Sequence, residues 1–100
     1  VGNEPGVTPG THIIQEIYPN PFNQSVTISV NLPQRSELSI RMFDVLGRQV
    51  SEIVTGTYPA GLQEFHWNGM GNNSPLASGS YYLILNAGTH SETVRAVLIR

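Results

Sequence analysis

Three histidines, one aspartate and six glutamates are the side chains in this 100-residue sequence with which a metal could be held or a proton moved. A histidine metal centre needs its ligands at short spacings such as HxH or HxxxH. His12, His66 and His90 stand far apart, on separate predicted strands or turns. Cysteine is absent, which excludes thiolate zinc sites and disulfides. Acyl transfer by serine needs a nucleophile with a base and an orienting acid beside it. No GxSxG turn occurs, and no serine has a His–Asp pair near it. A glycosidase needs two facing carboxylates, and Glu52 and Glu64 approach each other only if their strands pair. Asp44, in the run Asp44-Val45-Leu46-Gly47, reads as a turn residue whose carboxylate accepts backbone N–H groups. Residues 68–74 (NGMGNNS) offer amide and carbonyl oxygens but no carboxylate, a poor donor set for calcium. These observations predict no catalytic residue, no metal site and no cofactor.

The aromatic residues Tyr18, Phe22, Tyr58, Trp67, Tyr81 and Tyr82 pose a different question. In a flat exposed row they would stack on sugar rings; distributed through a core they would only fill space. If residues 79–87 form a regular strand, only one of Tyr81 and Tyr82 faces the core.

The elements that must position these side chains read as β-structure throughout. Residues 26–32 alternate cleanly, with Val26, Ile28, Val30 and Leu32 on one face and Thr27, Ser29 and Asn31 on the other. Period two is the mark of a half-buried strand. Further strands are predicted over 12–17, 38–42, 48–54, 62–67, 79–87 and 93–99. The strand over 48–54 is the weakest, because Val50 and Ile53 break its alternation. Residues 44–47, 56–61, 68–74 and 87–90 supply turns, rich in Gly, Asn and Pro. No window carries a capped helical repeat. About seven short strands with regular turn signals predict an all-β, immunoglobulin-like antiparallel sandwich. Its expected core is Val26, Ile28, Val30, Leu38, Ile40, Met42, Phe65, Trp67, Leu83, Leu85, Val94 and Ala96. Between the first two strands, residues 18–23 (YPNPFN) cannot be regular sheet, since two prolines remove two backbone donors. The segment reads as an ordered connection anchored by Phe22, with one of its two X–Pro bonds a candidate for cis.

Composition sets the outer limits. Hydrophobic residues make up 39% and charged residues 12%, lysine is absent, and the net charge is −2. No basic surface is available for nucleic acid or an anionic membrane. No apolar run approaches a membrane span, and no stretch reads as a signal peptide. The Gly/Pro-rich residues 1–11 predict a linker ahead of one domain over 12–100. The opening valine suggests a piece of a longer polypeptide.

Short motifs in a fixed order carry a family resemblance. They are Tyr18-Pro19-Asn20-Pro21-Phe22-Asn23; Phe43-Asp44-Val45-Leu46-Gly47-Arg48; Ala60-Gly61; and Trp67-Asn68-Gly69. Leu76-Ala77-Ser78-Gly79-Ser80-Tyr81-Tyr82 and the terminal Val97-Leu98-Ile99-Arg100 complete the series. Together they resemble the type A C-terminal sorting domain of the bacterial type IX secretion system, itself similar to the immunoglobulin-like domain of the flagellar hook-capping protein. The resemblance implies a non-catalytic C-terminal module of a larger secreted protein. Its partners would be the outer-membrane secretion machinery and the upstream domains of the same polypeptide. Its route would run through the periplasm to the cell surface or the medium, and Val97, Leu98, Ile99 and Arg100 would form the export signal. The chain departs from the pattern at Gln24, often proline in the family, and at Asn68, often aspartate. A carbohydrate-binding module or a spacer appended to a secreted hydrolase is the alternative reading, and the first of these requires the exposed aromatic row.

Overall fold

Alternating apolar residues can bury one face of a strand only if a second sheet covers it, and this chain supplies both layers. The computed structural model describes residues 13–23, 25–71 and 75–99. The linker expected over 1–11, and His12, Gln24, residues 72–74 and Arg100, lie outside the described residues. The described chain forms seven strands: β1 (Ile14–Tyr18), β2 (Val26–Leu32), β3 (Ser36–Phe43), β4 (Gln49–Tyr58), β5 (Gly61–Trp67), β6 (Gly79–Ala87) and β7 (His90–Leu98). A three-stranded sheet, β1-β2-β5, faces a four-stranded sheet, β4-β3-β6-β7, and every pairing between named strands is antiparallel. This is the all-β sandwich that the alternation predicts.

Between the sheets lie Ile28, Val30, Ile40, Met42, Leu83, Leu85, Ala96 and Leu98, all fully buried, with Phe22, Val26, Leu32, Leu38 and Trp67 nearly so. Of the expected core residues, Phe65 and Val94 are only partly buried. Each sits on an edge strand, β5 or β7, nearer its middle than the buried Trp67, Ala96 and Leu98 of the same strands. Phe65 compensates by packing edge-on against Tyr58, with ring centroids 5.3 Å apart.

Several strand boundaries differ from the sequence expectation; β3, for one, runs from Ser36 to Phe43, longer than the 38–42 expected. β1 is displaced by a residue or two toward Tyr18, and β7 begins at His90, because the hairpin turn between β6 and β7 needs only Gly88 and Thr89. β4 extends through Gly56 to Tyr58, where a loop was expected, because β3 offers pairing partners back to Ser36. The weak alternation of β4 also has its cause here. Ile40 pairs with Val54 but Arg41 with Glu52, and Met42 pairs with Ser51 but Phe43 with Gln49. Ile53 and Val50, the two residues that break the pattern, are therefore the extra residues of two register shifts. A bulge resets which face the following residues occupy, so Val54 and Ser51 both turn inward and are buried.

Candidate functional site

The registers bring most of the motif residues to one end of the sandwich. Val26 pairs with Trp67, Phe43 with Tyr82, and Gly79 with Leu98. The loop at residues 33–35 joins β2 to β3 at the opposite end, so the Val26, Phe43, Gly79 and Leu98 ends coincide. Tyr18 to Phe22, Asp44 to Arg48, Trp67 to Gly69, Ser78 to Tyr81 and Val97 to Ile99 gather there. Gly61 does not: it pairs with Leu32 at the far end.

One margin of this end is the outer edge of β7. Residues 20–22 lie along it, and both the Tyr18–Pro19 and the Asn20–Pro21 bonds are cis. Phe22 N–H donates to the Val97 carbonyl (2.9 Å), and Ile99 N–H donates to the Phe22 carbonyl (2.8 Å), closing a short parallel bridge between Phe22 and Leu98. The Asn20 carboxamide continues the row. Its Nδ2 donates to the Arg95 carbonyl, and its Oδ1 accepts from Val97 N–H, both at 3.0 Å. The Phe22 ring, 1% exposed, enters the core at 5.7 Å from the Trp67 ring.

Two turns lie at the same end of the sandwich, on the β3, β4 and β5 side. Asp44 Oδ1 accepts from Leu46 and Arg48 N–H (2.9 Å each), and Oδ2 accepts from Arg48 Nε (2.9 Å). Gly47 completes the turn at φ +84°, where a side chain is disfavoured. Arg48 N–H, helped by the Arg48 side chain and by Leu46 N–H against partial desolvation, holds the Asp44 carboxyl below the usual carboxylate range. Val45 and Leu46 are consequently displayed at the tip, both strongly exposed. At the second turn Trp67 Nε1–H is shared between Ser51 Oγ and the Met70 carbonyl, each at 3.1 Å. Asn68 Oδ1 accepts from Met70 N–H, so the described part of the 68–74 loop is bound up in turn bonds. Tyr81 is the inward member of the tyrosine pair, and its hydroxyl donates to the Ala77 carbonyl (2.6 Å), as tyrosine corners do in sandwich folds.

The remaining polar residues do not converge on a reaction centre. His66 hydrogen-bonds Thr27, and His90 bonds Glu92. Glu52 and Glu64 lie on β4 and β5, which belong to different sheets. No group of His, Asp and Glu suited to a metal ion occurs among the described residues. Nor do the aromatics form a row: Phe22, Trp67 and Tyr81 are buried, while the exposed Tyr18 and Tyr82 sit on opposite sheets. Tyr18 donates to Glu64 (3.2 Å); partial desolvation and that carboxylate raise its phenol above the ordinary value.

Sequence reasoning missed Glu92, whose carboxylate accepts from Ile13 N–H (2.6 Å) and Ile14 N–H (3.0 Å) and so ties β7 to the start of β1. Burial of this carboxyl opposes ionisation, but the two N–H donors and His90 outweigh it and hold Glu92 below the usual range. A glutamate amid alternating polar residues gives no local sign of such partners.

The family described as the secretion system C-terminal sorting domain matches residues 16–100. No curated protein matches the sequence. Among solved structures, dimeric latent PorU from Porphyromonas gingivalis is similar in fold, with a TM-score of 0.66 and 14% identity. The similarity covers 84% of this chain and only 9% of that one.

Proposed function

The chain belongs to the type IX secretion C-terminal sorting domain family, and from that premise we propose that it is the non-catalytic export signal of a larger protein. In this reading the folded sandwich is carried from the periplasm across the outer membrane, taking its upstream domains to the surface or the medium. The machinery reads the end of β7, with Val97, Leu98, Ile99 and Arg100 as the signal. The observation that carries the reading is the bonding of segment 20–22 to the outer edge of residues 95–99: the two outermost motifs of the chain form one unit. The separation of the exposed tyrosines onto opposite sheets weighs against a sugar-stacking module.

Leu98 is fully buried, so deleting the terminal strand would damage the fold as well as the signal. Ile99, 53% exposed and just beyond β7, separates the two effects. The test fuses the chain behind a periplasmic reporter in a host with the secretion system. The intact fusion should reach the surface or medium, and Ile99→Asp should remain folded in the periplasm. Retention of the intact fusion defeats the proposal; normal export of Ile99→Asp removes Ile99 from the signal.

A further inference from the structure

An edge strand presents backbone N–H and C=O groups to whatever extended chain approaches, and folded proteins cover or blunt such edges. β7 is an edge of the four-stranded sheet. Its last outward-facing backbone groups are the Arg95 carbonyl, the Val97 N–H and carbonyl, and the Ile99 N–H. All four are occupied by two residues of one short segment: Asn20 through its side chain, and Phe22 through its backbone.

The division of labour follows the two-residue repeat of an extended chain: Phe22 meets β7 through its own N–H and carbonyl, and the next position facing that edge is Asn20, whose side chain makes the bonds there. A carboxamide carries a carbonyl acceptor and N–H donors, as a peptide group does. Asn20 places that group at the same edge, and both of its bonds are 3.0 Å long. Phe22 keeps the segment in place, because lifting it away would draw a nearly fully buried ring out of the core beside Trp67.

We infer that Asn20 is a positioning residue for the export strand: its carboxamide substitutes for a missing peptide group, seals the outer edge of β7, and fixes the register in which Val97 and Ile99 are presented. The inner face of the strand is closed as well, with Ala96 and Leu98 fully buried. What remains accessible at the end of β7 is the face carrying the half-buried Val97 and the exposed Ile99. The strand is thus read by its side chains, and its backbone edge is not open to a receptor's strand. The export part of this inference rests on the function proposed above.

The test compares Asn20→Ala with the intact chain in two measurements. Amide hydrogen exchange of the purified 100-residue chain should show Val97 exchanging roughly tenfold faster in the variant, as loss of about one hydrogen bond implies. Leu83 and Leu85 in β6 should keep their protection, which separates loss of the seal from general unfolding. In the reporter fusion, folded Asn20→Ala should be exported at least several-fold less than the intact chain. Asn20→Asp retains the acceptor for Val97 N–H but sets a carboxylate oxygen against the Arg95 carbonyl; it should protect Val97 yet not restore full export. Unchanged Val97 exchange in Asn20→Ala overturns the inference. Export of folded Asn20→Ala equal to or better than that of the intact chain also overturns it, and better export would point to strand addition at an opened edge. Retention of the intact fusion itself would instead strike the functional reading, and with it Asn20 as an export device.

Discussion

Phe22 and Leu98 lie side by side in a single parallel bridge, 76 positions apart in the chain and both almost wholly buried. The bridge makes the N-terminal motif and the terminal strand one cooperative unit, since each side chain is covered partly by what the other holds in place. A defect at either member should loosen both.

Phe22→Ala should therefore cost about 3–5 kcal/mol, the usual loss for a buried aromatic ring. Trp67→Ala should fall in the same range and also frees the hydroxyl of Ser51, which is itself buried. Urea denaturation gives both values. A loss under about 1 kcal/mol for Phe22→Ala would mean that segment 18–23 is not anchored by its ring.

Gly47→Ala isolates backbone strain. A Cβ at Gly47 meets nothing within 4 Å, so crowding contributes nothing. The positive φ should still cost about 1–2 kcal/mol, measured as a lowered denaturation midpoint. An unchanged or raised midpoint would show that the turn is not held as described.

Acid should weaken the fold. Asp44 and Glu92 both have folded pKa values below their ordinary ones, so the unfolded chain takes up protons first as pH falls. Their contribution is complete at neutral pH. It declines below the ordinary carboxylate pKa of about 4 and disappears once the pH is below the folded values. Urea midpoints at successive pH values should trace this decline. In Glu92→Gln the decline should be shallower, with a loss of about 1–2 kcal/mol at pH 7 from the weakened bonds to Ile13 and Ile14 N–H. An equally steep decline in the variant would exclude Glu92 as a source.

Ile99→Asp should leave stability within about 0.5 kcal/mol of the intact chain, as is usual at exposed positions. Thermal melts of the purified chain check this, and they are the control on which the export test depends. A large drop would show that Ile99 supports the fold through more than its N–H bond to Phe22.

Much of the molecule was legible in the order of its residues. Alternation in β2 and β3 shows in the sequence because a strand with one buried face must repeat every two residues. The Asp44 turn is local too, since its carboxylate reaches only two to four residues along the chain. The motif series was equally visible, though only as an order of short words. What the tertiary structure decided depends on which strands become neighbours. Phe65 and Val94 alternate as core residues do, yet on edge strands β5 and β7 they are only partly buried while Trp67, Ala96 and Leu98 are covered, a difference set by packing along the sheet. Val50 and Ile53 looked like faults in a weak strand until pairing with β3 made them bulges. Asn20 and Glu92 find their backbone partners 75 to 79 positions away. A contact at that distance leaves no periodic trace along the chain. It exists only after both sheets have formed, because the whole buried core, and no local preference, sets the two ends side by side.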